Sequence, residues 1–220
     1  MIKRKIQPNL TRAKRLRQAT HERREREKQE LRQLILQAAG DLFLEQGYEG
    51  FSLRHVAERI GYSPGTIYLH FEDKDDVLFR VADEGFIEFG QRLAAAAAST
   101  DDPAERLRAL GKAYIEFGFS KPAHYQLMFM QRPDFLMKKP GKNLEPHISS
   151  FHTLQQAVEV AMAAGVIRQA NPETTSHAIW ATVHGIVALG ICMPDFFDKT
   201  RFQETIDICR NLIMDGLRPT

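Results

Sequence analysis

Apolar residues recur at helical spacing along most of the chain. Leu31, Leu34, Ile35, Ala38, Ala39, Leu42 and Phe43 keep an i, i+3, i+4 stripe and predict a first helix that stops at Gly47. Leu53, Val56, Ala57 and Ile60 repeat the pattern over a shorter span, between Ser52 as N-cap and Gly61 as left-handed stop. Ser63 and Pro64 start a very short third helix whose Ile67 and Phe71 face inward. Asp73 caps a long fourth helix running through Val77, Leu78, Val81 and Phe86 to the alanines at 94–98. Asp102-Pro103 opens a fifth through Leu107, Leu110, Tyr114 and Phe117, and Lys121-Pro122 separates it from a short apolar piece, His124 to Met130. Residues 131–146 hold three prolines and one glycine and read as a loop. Phe151, Leu154, Val158, Ala161 and Met162 predict a seventh helix closed by Gly165. Asn171-Pro172 starts an eighth that runs to about Met193, and Phe202, Ile206, Cys209, Leu212 and Ile213 mark a ninth. No strand alternation and no repeat appears, so the expected fold is all-α, with a three-helix N-terminal unit and a larger helical body.

The second and third helices, joined by the Gly61–Ser63 turn, form a helical hairpin. With Ile67 and Phe71 turned in, Thr66, Tyr68, Leu69 and His70 point outward or to the rim. A short helix that shows hydroxyls, an aromatic ring and an imidazole, with its first turn leading, suits a DNA major groove. The plainer reading of the same shape is a hairpin inside an ordinary bundle.

Shape alone leaves both readings open. Net charge is only +2, but residues 1–34 carry twelve Lys and Arg against four Glu, and the other 186 residues carry eighteen against twenty-four. A basic end on an otherwise acidic chain expects a polyanionic partner. The first twenty residues are basic and poor in large apolar side chains, so residues 1–26 are expected to form a flexible arm, while the mixed signs from His21 to Arg32 can extend the first helix as a solvated face. Arg12, Lys14, Arg15 and Arg17 are the arm's candidate backbone or minor-groove contacts.

The run of Ala57, Ile60, Gly61, Ser63, Gly65-Thr66, Tyr68, His70-Phe71 and Lys74 resembles the TetR family of one-component transcriptional repressors, as does the helix upstream from Ile35 to Phe51. The likeness covers about residues 31–80. A shorter one, Trp180-x-x-x-His184-Gly185, resembles a C-terminal signature of one branch. The resemblance implies a DNA-binding domain at 27–73, a ligand-binding and dimerisation body at 74–220, and a homodimer joined through helices eight and nine. It implies a palindromic operator with one reading head per half-site, and release of the repressor by a small-molecule effector. By position, Ser52, Arg54, Thr66, His70 and Lys74 are its phosphate contacts. Tyr68 and Leu69 are the base readers, and Ser63 and Pro64 lie at the groove edge. The alternative is a DNA-organising protein that keeps the head and lacks an effector site.

Within the body, Phe117, Tyr125, Met128, Phe129, Met162, Trp180 and His184 are candidate lining for an apolar effector cavity, each also readable as core. Tyr, Trp and His add a polar handle to an apolar surface. Ala178, Ala181, Gly185 and Ala188 offer a small-residue face for a second helix. The chain has no Cys-x-x-Cys, His-Glu-x-x-His or Glu-x-x-His, and no glycine-rich nucleotide loop, so neither metal, cofactor nor enzymatic activity is expected. Cys192 and Cys209 are expected reduced within a helical core. Without an apolar leader or a run long enough to span a bilayer, a cytoplasmic location with no membrane partner is expected.

Overall fold

The computed structural model describes residues 12–130, 145–195 and 199–219. Among these it has nine helices and no strand: α1 (Arg12–Gly50), α2 (Leu53–Ile60), α3 (Pro64–Tyr68), α4 (Lys74–Ala98), α5 (Pro103–Ser120), α6 (Pro122–Phe129), α7 (Glu145–Ala163), α8 (Pro172–Cys192) and α9 (Lys199–Gly216). The expected loop at 131–146 and the first eleven residues of the expected arm fall largely or wholly outside the described residues. Residues 145 and 146 prove to be the first of α7.

Helix starts follow the capping chemistry. The Ser52 side chain accepts from the His55 N–H, Ser63 from Thr66, Asp73 from Asp76, Asp102 from Ala104 and Glu105, and Asn171 from Thr174. Gly61 ends α2 at φ 74°, a conformation that carries a Cβ penalty for any other residue. Gly47, at φ 66° and ψ −179°, breaks the helical path inside α1 at the expected stop, and one further turn follows it to Gly50.

Three expectations are corrected. Residues 12–26 are the opening turns of α1 and not an irregular arm. They bury no apolar face, and i, i+4 contacts such as Gln18 to Glu22 and Arg23 to Glu27 sustain them instead. Cys192 is exposed at the end of α8, and only Cys209 is half-buried. Helix α8, with 21 residues, is long and apolar enough to cross a membrane by length and composition alone. Its Thr, Ser and His residues interrupt the apolar run without making the helix polar.

One apolar core runs from the head into the body. Ile35, Leu42, Phe51, Val56 and Ile67 of the head pack in the same cluster as Val77, Leu78 and Phe89 of α4, Phe117 of α5, Tyr125 of α6 and Val187 of α8. A second, smaller cluster joins Val158, Ala161, Met162 and Ile167. Helix α6 lies between head and body. A Cβ placed on Gly40 of α1 would stand 3.4 Å from that of Ala123, and one on Gly85 of α4 would stand 2.6 Å from the Met128 sulfur.

Candidate DNA and effector sites

The head turns the third helix outward. Ile67 and Phe71 are buried, Thr66 and His70 are half-buried, and Ser63 and Pro64 are exposed. Tyr68 is 60% exposed and Leu69 83% exposed. The exposed Tyr68 ends the five-residue helix and the exposed Leu69 caps it, so neither side chain contributes to the packing of the head. Ser63 Oγ and Thr66 Oγ1 lie 2.9 Å apart at the first turn of α3. Ser52 is half-buried at the start of α2. Arg54, two residues on, is exposed, and its Nε donates to Glu58 at 3.0 Å. That surface ion pair is weak enough to yield to a phosphate. Arg59 clamps α2 to α1 through a two-pronged pair with Glu45, at 2.7 and 2.6 Å.

Lys74 and Tyr48 are coupled. The Lys74 ammonium sits 4.1 Å from the centroid of the Tyr48 ring and donates to the Tyr48 carbonyl at 3.2 Å, while the Tyr48 hydroxyl donates to Asp75 at 2.6 Å. Tyr48 packs against the edge of the core and also straps the end of α1 to the start of α4. Two further groups beside the recognition helix escaped the sequence reading. Arg32 lies 4.8 Å over the Phe71 ring, and the charges of Lys28 and Arg32 both act on His70. Burial first, then those two cations, push the His70 imidazole below its ordinary range. A signal existed in the sequence, because Lys28 and Arg32 sit one turn apart just ahead of the buried stripe. Exposed Tyr62, in the turn before α3, is another aromatic that the reading passed over.

Four of the seven body candidates come together. Trp180 Nε1 donates to Tyr114 Oη at 3.0 Å, Tyr114 and Tyr125 hydroxyls are 3.0 Å apart, and Tyr125 Oη is 2.6 Å from His184 Nδ1. Phe129 packs at the centre of this group, with ring centroids 5.1 Å from Tyr125, 6.0 Å from His184 and 6.2 Å from Trp180. Phe117 joins only through Phe89, at 5.0 Å. Met128 points the other way, onto α4 at Gly85. Met162 belongs to the second cluster, apart from the rest. Tyr114 completes the network and was read only as core, although it satisfies the same rule that marked Tyr125. Burial lowers the His184 imidazole, pushes the Tyr114 phenol up to about 12 and raises Tyr125 as well, so the ring is neutral and both phenols keep their protons near pH 7. A groove of about 670 Å³ opens elsewhere, between α5, α8 and α9, lined by Leu107, Ile115, Ile179, Val183, Ile206 and Ile213. None of the seven candidates lines it.

Helices α8 and α9 present an apolar outer surface. Ala178, Ala181 and Thr182 are exposed, Leu189 is 50% exposed, and Ile208 and Leu212 are 60% and 67% exposed. A Cβ placed on Gly185 meets nothing within 4 Å.

A capped helix-turn-helix head on an α-helical body with a polar-aromatic cluster defines a helical DNA-binding regulator class. The relatives agree. Residues 35–81 match the family described as "Bacterial regulatory proteins, tetR family", and residues 107–192 match "Tetracyclin repressor-like, C-terminal domain". The chain belongs to the TetR family of transcriptional regulators. It is 29% identical over 100 residues to the HTH-type transcriptional activator FasR of Mycolicibacterium smegmatis, covering 46% of each chain. It is 43% identical over 53 residues to the HTH-type transcriptional repressor AcnR of Corynebacterium diphtheriae, covering 24% of this chain and 28% of AcnR. The matches thus span less than half the length of either relative. The fold is shared with the fatty acid degradation regulator FadR of Bacillus halodurans, at a TM-score of 0.72 and 20% identity over 85% of this chain and 96% of that one.

Proposed function

We propose that the protein is a homodimeric repressor that binds a palindromic DNA operator and is released by a small-molecule effector. The observation that carries this reading is the outward face of α3, where Tyr68 and Leu69 stand bare beside buried Ile67. Tyr68 and Leu69 read base edges, Leu69 meeting a thymine methyl. Ser52, Arg54, Thr66, His70 and Lys74 hold phosphates and fix register, with Ser63 and Pro64 at the groove edge. The Lys74 ammonium reaches a phosphate only by turning from the Tyr48 carbonyl, so its role couples to Tyr48.

The dimer forms through the outer faces of α8 and α9, which supplies the twofold symmetry that a palindrome requires. The effector enters at the cluster of Tyr125, Phe129, Trp180 and His184. It carries an apolar body and an acceptor for the Nε2–H of His184, because Nδ1 is already the acceptor for Tyr125. Displacing Tyr125 shifts α6, and Ala123 of α6 rests on Gly40 in the head. Effector binding therefore favours a head placement that no longer fits the operator. The repressor reading follows from this release logic, since a regulator that leaves DNA on binding its effector acts by occupying it.

The test is selection of duplexes from a random pool, followed by titration of the selected duplex with and without candidate effectors. A selected palindrome, bound by a dimer and released by an effector that also raises the melting temperature, is the expected result. Failure to enrich any sequence sinks the DNA reading. A second reading, a ligand-independent DNA-organising protein, draws on the way the cluster's hydrogen bonds close on one another. It predicts an enriched duplex but no effector-dependent release.

A further inference from the structure

Helix α1 runs for about six turns ahead of its first buried residue, Ile35, and every residue from Lys14 to Glu30 is exposed. Those turns have a pattern. Lys14, Arg17, His21, Arg24 and Lys28 follow alternating steps of three and four, which is one face of a helix. The same alternation carries on without a break through Leu31, Ile35, Ala38 and Leu42, the stripe by which α1 packs on the head. One face is therefore apolar where the chain covers it and cationic where the chain does not.

The acids of this segment keep off the face. Glu22 accepts from Gln18, and Glu27 pairs with Arg23 at 3.3 Å, on other sides of the helix. Glu30 falls opposite the row, and Glu25 flanks it. A face meant only for solvent gains nothing from such sorting, and intermixed signs would serve helix stability better. The inner end of the row is placed. Lys28 acts electrostatically on His70, and Arg32, one turn further, covers Phe71 just beyond the recognition helix.

We propose that this row is a second DNA contact, seated on backbone phosphates outside the half-site read by α3. The inference rests on the DNA-binding reading of α3 given above. From Lys14 to Lys28 the row covers about 21 Å at ~1.5 Å per residue. At ~3.4 Å per phosphate along a strand, that is a flank of about six base pairs. Charge complementarity supplies the attraction, and continuity with α3 supplies the position. The row carries no base-reading side chain, so it adds affinity and salt dependence without choosing sequence.

The experiment uses the duplex selected by the full-length protein, prepared with no flank and with about ten extra base pairs on each side. The row variant combines Lys14→Gln, Arg17→Gln and Arg24→Gln, and glutamine keeps helix propensity high. A control off the row combines Arg23→Gln and Arg26→Gln, and a reduced row variant, Arg17→Gln with Arg24→Gln, matches its charge loss. Wild type and control should bind the flanked duplex at least tenfold more tightly than the bare one. The row variant should bind the bare duplex like wild type, lose that gain, and flatten the slope of log K against log salt by about 2 to 3 per protomer. An equal loss in the control and the reduced row variant overturns the row and leaves only diffuse attraction. A flank gain retained by the row variant overturns it also. A row variant with an intact flank gain that no longer binds phosphatidylserine vesicles assigns the row to a membrane surface instead. If wild type selects no duplex, the DNA-binding reading itself has failed, which is a separate result.

Discussion

Tyr125 of α6 and His184 of α8 share a 2.6 Å hydrogen bond from phenol to Nδ1, and this contact sets the proton order of the buried network. With burial keeping the imidazole neutral, the phenol is the stronger acid of the pair, which favours Nδ1 as acceptor and the ring proton on Nε2. Tyr125 then spends its proton on His184, Tyr114 donates to Tyr125, and Trp180 donates to Tyr114. The chain of donors runs one way from α8 through α5 and α6 and back to α8.

A pH dependence of stability follows. The folded state holds His184 below its unfolded value, so between those values the unfolded chain binds the proton that the folded chain refuses. Stability is full above about pH 6.5, the ordinary histidine value, and is lost as pH falls from there through the folded value. His70 and His124 are lowered too and act in the same direction. His184→Gln keeps an acceptor for Tyr125 and cannot titrate. Melting temperatures at pH 7.5 and pH 5.5 should differ less in the variant than in wild type. An identical difference would mean that His184 takes no part.

Tyr125→Phe removes the central hydroxyl while keeping the ring against Phe129. Tyr114 retains Trp180, and its hydroxyl is 3.3 Å from His184 Nδ1, so part of the network can close again. The expected cost is about 1–2 kcal/mol, the range for a buried hydrogen bond whose partner is left incompletely satisfied. Urea unfolding should show a lower midpoint with an unchanged slope. A larger loss would point to repacking of the aromatic group rather than a missing bond.

Tyr68→Ala tests the base-reading role. Because the ring is 60% exposed, the fold and its melting temperature should not change. Affinity for the selected duplex should fall by about 1–3 kcal/mol per half-site, with little change on random DNA at the same salt. Parallel losses on both duplexes would move Tyr68 to the phosphate group.

Legibility divides by range. The caps at Ser52, Ser63, Asp73, Asp102 and Asn171 were readable because each is a local exchange between a side chain and an N–H two or three residues away. The α3 face was readable because Ile67 and Phe71 leave few other positions to turn outward. The extension of α1 over His21 to Arg32 was readable from its closely mixed signs, whereas the turns before His21 were missed because they have no apolar stripe. The Lys74 and Tyr48 strap was missed because it joins residues 26 apart in sequence, where periodicity says nothing. For the same reason the sequence grouped Met162 with Tyr125, and only the path of α7 puts it in another cluster.

The last prediction concerns the dimer, and two glycines decide it. A Cβ on Gly118 would collide with Val187 inside the same subunit, whereas one on Gly185 meets nothing within 4 Å. The two positions therefore report different things. Gly118→Ala should overpack the α5 and α8 contact and lower stability by about 1–3 kcal/mol, with the oligomeric state intact at temperatures where the protein is folded. Gly185→Leu should leave the isolated subunit folded, because its side chain points to open space among Ala181, Thr182 and Leu189. In a dimer built on that face, the added leucine pushes the facing helices apart, and twofold symmetry applies the cost twice. A shift toward monomer follows, and with it weaker operator binding, since two heads on one frame gain the second contact at high effective concentration. Light scattering reads the mass, circular dichroism the helix content, and titration the operator affinity. A Gly185→Leu protein that stays dimeric at micromolar concentration and binds like wild type would remove this face of α8 from the interface. The exposed Ile208 and Leu212 of α9 would then carry the seam, and charged substitutions there would be the variants to break it.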